Sequence, residues 1–335
     1  MDDSHKSYEP KPHLGMAIDP IHVGTGGTGL GRVDNAIVRD PVTRVPKIPG
    51  SSLAGVFRTY AAMAQQAGNP NRQVDGKPKP YYPDCAGLGQ PKGDNSGHCA
   101  RNDCRICTTF GFARGNAGGF AGLAAFSDAH VLLFPVATRE GPVWLTCPMA
   151  MRAVGQELNA VADDAVYRNG GSNQPLNLGW LLLSVKPLNG DQSVKQALKE
   201  RRVPAYILDH LAVLPDKLFS HVVNSNLEVR TSVAINPETG AAEEGALFTY
   251  EALPRATVLI WDVTCKNPAH FKVGNEKVTA VTSPDEVHKV VATAHPYFEH
   301  LGIGGMGTRG MGRLRVLTET AAQAASATGT AKEAS

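Results

Sequence analysis

Of 335 residues, 42% are apolar, 19% are charged and 35 are glycine, a profile that suits a loop-rich globular protein and excludes a coiled coil or a wholly disordered chain. The formal net charge is only +2, so any polyanion site must be local: residues 1–120 carry 14 Lys/Arg against 10 Asp/Glu, and the rest carry 19 against 21. No apolar run approaches the ~18 residues of a membrane span and residues 1–11 contain no apolar signal segment, so the expected location is cytoplasmic and away from membranes.

Along the chain, Met16, Ile18 and Ile21 predict a short strand over 15–23, followed by a glycine loop over 24–31. Ser51 or Ser52 is placed to cap a helix reaching about residue 66, with Leu53, Val56, Phe57 and Tyr60 on one face. Residues 68–120 form a polar, Gly/Pro-rich insertion, too long to lie in a compact domain without a staple. Core-like patterning resumes at 123–135, with further strands expected at 144–151 and 178–185 and a short helix at 193–201. Clean alternation over 227–235, a turn at 236–240 and a second run over 246–250 predict a β-hairpin with a long tip. A strand at 256–264 and a helix over 283–301 follow, and the Ala/Thr/Ser-rich tail, 319–335, is expected to be disordered. Strands and helices mix without regular alternation, which points to the α+β class.

Four of the six cysteines cluster as Cys85-x13-Cys99-x4-Cys104-x2-Cys107. Four thiolates suit tetrahedral Zn2+, and the Cys-x2-Cys pair puts two ligands on one tight turn. His98 is the alternative to Cys99. With no ligand position left open, the metal would be a structural staple for the insertion. A second signal is the late loop Gly302-Ile303-Gly304-Gly305-Met306-Gly307-Thr308-Arg309-Gly310-Met311-Gly312-Arg313. Glycines let main-chain N–H groups approach a phosphate, and Arg309 and Arg313 add charge, while the absence of Gly-Lys-Ser/Thr argues against a triphosphate-hydrolysing loop. Lys47 beside Ser51 and Ser52 at a helix start is a further phosphate-holding arrangement, alongside ordinary capping. Asp34, after the early glycine loop, is a turn residue or a catalyst. His22 is a packed histidine or a general base.

Four segments, in this order, resemble the RAMP superfamily, the repeat-associated RNA-binding proteins of CRISPR systems. They are residues 20–26 with 33–39 after them, 48–55, the hairpin of 224–250 leading into Leu253-Pro254-Arg255, and 304–313. The nearest likeness is to the backbone subunits of type III complexes, of the Cmr and Csm kinds. The resemblance implies one RRM-like (ferredoxin-like) palm over 1–318, carrying the zinc-stapled insertion and a hairpin thumb over 221–255. It implies a subunit that stacks in multiple copies on guide crRNA beside other subunits, and a metal-dependent endoribonuclease that cuts target RNA at regular intervals. Lys47, Ser51, Ser52, Arg58, Gly305, Thr308, Arg309 and Arg313 would contact RNA. Asp34 matches the family's nuclease position, where a carboxylate binds Mg2+ or another divalent cation or assists attack by a 2′-hydroxyl. Two other readings are an inactive scaffold of the same complex and a standalone guide-processing endoribonuclease with His22 as base.

Overall fold

The structure is a computed structural model describing residues 6–26, 33–87, 97–113, 118–159, 161 and 164–317, with the side chains of 244–246 outside that description. The tail 319–335 and part of the early glycine loop, 27–32, therefore lie outside the described residues. Two compact units emerge. One comprises Met1–His13, Pro49–Ala129 and Trp261–His300, and the other Leu14–Ile48, His130–Ile260 and Leu301–Ser335.

The first unit is built on the helix Gly50–Gly68, whose apolar stripe buries Leu53, Phe57 and Tyr60. Phe57 meets Phe298 at 4.5 Å and Phe126 at 5.1 Å between ring centroids, so the helix is held by aromatic packing more than by propensity. The serines expected to cap it do not. Pro49 is the N-cap and offers no side-chain acceptor. Asp128, distant in sequence, accepts the Gly50 N–H at 2.8 Å instead. Gly50 is required there because a Cβ would lie 2.6 Å from the Phe126 carbonyl oxygen.

Among its described residues the insertion holds little regular structure beyond two-residue ladders, a turn at Asp84–Ala86 and the helix Arg105–Phe110. Where one helix is expected over 283–301, there are two, Pro284–Ala292 and His295–His300. Pro296 explains the break: it has no amide hydrogen to continue the first helix's bonding, yet it fits the opening turn of a new one. Ser283 caps the first of them by accepting the Glu286 N–H.

The second unit carries a mixed sheet. From one edge, Leu176–Leu178, Leu181–Lys186, Ala165–Tyr167, Leu211–Val213, Gly141–Thr146 and the stretch 130–138 lie side by side, and the second-unit stretches 258–260 and 14–17 with Leu314–Val316 complete the order. Parallel pairs (165–167 with 184–186, 211–213 with 144–146) sit among antiparallel ones. Leu132, Trp144, Met151, Leu198, Ile207 and Val258 belong to one core cluster of this unit. The Trp144 indole N–H donates to the Ala256 carbonyl at 3.0 Å, which satisfies the one polar atom of that side chain.

Several boundaries differ from expectation. The first strand is Tyr8–Ala17 rather than 15–23, because the chain beyond Ala17 makes only isolated bridges. Residues 144–151 divide into a strand, Gly141–Thr146, and a short helix opened by Pro148. Residues 178–185 belong to a hairpin turning at Gly179 and Trp180. The predicted β-hairpin is present as Glu228–Ile235 paired antiparallel with Ala242–Ala252.

Candidate functional site

The foot of this hairpin is where Asp34 lands. Val33 and Ile37 are buried on either side and pin the segment, leaving Asp34 exposed between them. Asn35 docks the segment on the hairpin, its N–H donating to the Thr249 carbonyl at 3.0 Å and its carbonyl accepting the Glu251 N–H at 3.0 Å. The Asp34 carboxylate reaches the same strand: Oδ2 accepts from the Thr249 N–H at 2.7 Å and from the Thr249 hydroxyl at 3.0 Å. These bonds, the backbone one foremost, hold the carboxyl below the usual aspartate range, so it is ionised at neutral pH. Oδ1 accepts no hydrogen bond from another described residue. Arg39 braces the segment through Glu251 Oε2 (2.8 Å) and Asn224 Oδ1 (2.8 Å).

His22 is a packed residue. It is 7% exposed, its Nδ1 lies 2.6 Å from the Glu251 carbonyl oxygen, and its ring meets Tyr250 edge-on. That environment suits a structural histidine and weakens the standalone reading that needs it as a base.

The late glycine loop packs against the same part of the second unit through Met311, buried with Tyr250 and Ala252. Its glycines serve close backbone packing. A Cβ on Gly304 would sit 2.3 Å from the His22 carbonyl oxygen, and the Gly305 N–H donates to that oxygen at 2.8 Å. Gly305 therefore has no N–H left for a phosphate. Arg313 forms a two-pronged ion pair with Asp19, holding that carboxyl below its usual range. Thr308 and Arg309 stay exposed, and the Arg309 guanidinium lies 3.9 Å from the Met306 sulfur.

The remaining RNA candidates separate. The Lys47 ammonium lies 3.8 Å from Asp40 Oδ2. Ser51 is exposed and Ser52 half-buried in the first turn of the helix Gly50–Gly68. Arg58 is turned to the insertion, donating to the Cys85 carbonyl (2.7 Å), the Gly111 carbonyl (2.6 Å) and His98 Nδ1 (2.9 Å). Its guanidinium is a brace inside the first unit, a role its position on a helix does not reveal.

The four cysteines do converge. Their sulfurs lie within 4.8 Å of one another, all four residues are buried, and they can hold a metal ion. Cys99 to Cys107 is 3.7 Å and Cys85 to Cys104 is 4.0 Å. A tetrahedron with metal–sulfur bonds of ~2.3 Å has edges of about 3.8 Å, which these match. S–H bonds from Cys104 and Cys107 push the Cys85 thiol down to about 7. Cys99 is pushed down as well, with Cys104 the largest influence and Arg72 a contributor. The Arg72 guanidinium, 3.1 Å from Cys99 Sγ, offsets the surplus negative charge of a four-thiolate set. His98 receives Arg58 at Nδ1, and Cys99 is the fourth member of the cysteine group that can hold a metal ion.

The sequence profile of the RAMP superfamily matches residues 16–315. The CRISPR system Cmr endoribonuclease Cmr4 of Pyrococcus furiosus is 25% identical over 263 residues, covering 72% of this chain and 76% of that one. The CRISPR system endoribonuclease Csm3 of Methanothermobacter thermautotrophicus is 32% identical over 101 residues, 30% of this chain and 28% of that one. Among solved structures, a chain of the type III-B Cmr-beta complex bound to cognate target RNA has a TM-score of 0.58 at 16% identity, covering 93% of this chain and 99% of that chain. Oligomeric Cmr4 from Pyrococcus furiosus gives 0.54 at 17%, covering 93% and 100%. At these identities the structures show a shared fold. Since the profile spans nearly all of the described chain, the protein belongs to the RAMP superfamily.

Proposed function

We propose that the protein is a guide-RNA-binding backbone subunit of a type III CRISPR interference complex, stacking in multiple copies along crRNA and cutting complementary target RNA at regular intervals. The observation that carries this reading is the ionised, exposed Asp34 carboxylate fixed to the foot of a long hairpin, in a RAMP-superfamily chain. Relatives named as endoribonucleases, and similar folds in a complex with target RNA and in an oligomer, support it. In this reading the sheet of the second unit is the RRM-like palm and the hairpin is the thumb. Val229, Val233, Ile235 and Leu247 are 42–66% exposed on the hairpin, an apolar surface suited to stacked bases. Thr308 and Arg309 then meet RNA phosphate, and other subunits of the complex flank the stack in the cytoplasm.

For cleavage, a target 2′-oxygen loses its proton and bonds to the adjacent phosphorus as the P–O5′ bond breaks, leaving a 2′,3′-cyclic phosphate and a 5′-oxygen that takes a proton from water. Asp34 stands ready through Oδ1 to take or orient that proton, given a nucleotide splayed for in-line attack. The one grouping of three or more potential metal-ligand side chains among the described residues is the cysteine set. A divalent cation at Asp34 would therefore draw its other ligands from water and RNA, and would supply charge neutralisation at the phosphate. At the cysteines we assign a structural Zn2+, which closes all four positions and staples the insertion.

Purification of the protein with whatever accompanies it, followed by extraction and sizing of bound nucleic acid, tests the reading. The expected result is RNA of discrete length, shed on raising the salt concentration. Particles devoid of RNA, assembled or not, would end it.

A further inference from the structure

We propose that Thr249 is the positioning residue for Asp34 and that it ties the cleavage carboxylate to the thumb. This rests on the proposed cleavage role of Asp34 and deepens it. Three hydrogen bonds join the two residues reciprocally. The Thr249 N–H and hydroxyl both donate to Asp34 Oδ2, and the Asp34 N–H donates to the Thr249 hydroxyl oxygen at 3.1 Å. One hydroxyl thus acts as donor to the carboxylate and acceptor from its backbone, which fixes both the rotamer and the main chain of Asp34. The anchoring uses up Oδ2 and leaves Oδ1 to face the reacting atoms.

Thr249 belongs to the thumb strand Ala242–Ala252, opposite Thr231 on the partner strand. Alternate residues share a face, so Thr249 is on the same face as the exposed Val233–Leu247 pair one step toward the tip. The segment 33–37 is hung on this strand by the Asn35 bonds to Thr249 and Glu251. A deflection of the thumb by RNA therefore carries Asp34 with it, and the carboxylate is aligned only when the thumb is seated. Cleavage is in this way conditional on thumb engagement, since a misplacement of about 1 Å is enough to cost ~100-fold in rate.

The test uses guide-loaded complexes assembled with Thr249→Val, Thr249→Ser or Asp34→Asn, read by target-binding affinity and by single-turnover cleavage of a bound target. Valine keeps the β-branched shape and the backbone N–H bond but removes the hydroxyl. The expected outcome is a roughly 10- to 100-fold slower cleavage step for Thr249→Val at unchanged target affinity, with Thr249→Ser restored to near the wild-type rate. If Thr249→Val cleaves at the wild-type rate while Asp34→Asn does not, the positioning role is overturned and the cleavage reading stands. Equal slowing of the valine and serine variants also overturns it, because shape and not the hydroxyl would be at issue. If Asp34→Asn itself cleaves normally, the cleavage reading fails and this inference falls with it.

Discussion

A Cβ added at Gly304 would lie 2.3 Å from the His22 carbonyl oxygen at a backbone φ of +89°. Gly310, in the same loop, also has positive φ (+74°) but nothing within 4 Å of the added carbon. The two positions separate conformational strain from collision. Gly310→Ala is expected to cost about 1–2 kcal/mol for the left-handed backbone alone. Gly304→Ala must cost more, because main chain has to move as well, and urea unfolding of both variants measures the difference. Equal losses would mean the collision relaxes freely. At this scale the sequence displays residue types but hides their partners. The cysteines declare themselves by type and clustering, and Asp34 by its likeness to a family position. Thr249 and Arg72 carry no such mark, because nothing in spacing links position 34 to 249 or Arg72 to a sulfur. The glycine run is visible too, yet its reason, packing against His22, is not.

Among the elements, the hairpin and the helices Gly50–Gly68 and Asp191–Glu200 are legible because alternation or amphipathic period runs for two turns or more. Three-residue strands such as Ala165–Tyr167 and Leu211–Val213 are too short to show a period, and burial on all sides removes polar alternation. Capping of the first helix by Asp128 is likewise a tertiary event. Asp128→Ala should destabilise the protein by about 1 kcal/mol, whereas Ser51→Ala should change little, and thermal melts of the two distinguish them. For the insertion, elemental analysis is expected to find one zinc per chain. A chelator should then open 68–120 to proteases before the rest, because two-residue ladders cannot hold that segment by themselves. Full protease resistance after verified metal removal would show that the segment needs no staple.

On the scale of the molecule, the α+β class follows from the mixed order of elements, but the sheet order does not, since parallel neighbours such as 144–146 and 211–213 are far apart in sequence. One global property rests on three histidines of the first unit. His13 Nδ1 donates to the Lys11 carbonyl, which leaves Nε2 to accept from His288 Nε2 at 3.1 Å. Burial drives His13 down to about 4 and His295 to about 3, and lowers His288, so folding favours the neutral form of all three. An unfolded histidine titrates near 6.5. Below that value the unfolded chain binds protons that the folded one refuses, so stability is fully present above about 6.5 and falls as pH drops toward 4. The slope is about 1.4 kcal/mol per pH unit for each histidine titrating only when unfolded. Urea midpoints across this range should drop steeply, and less so in His295→Leu, whose Nε2 has no hydrogen-bond partner among the described residues. A flat profile would contradict the neutral trio.

The account as a whole turns on whether this carboxylate cuts RNA within an assembled, guide-loaded complex. The most direct measurement is the product pattern from an end-labelled complementary target, compared between wild-type complexes and complexes built with Asp34→Asn. The account predicts a ladder of regularly spaced products from the wild type, and an intact but still bound target from the variant. The same ladder at the same rate from Asp34→Asn would contradict it.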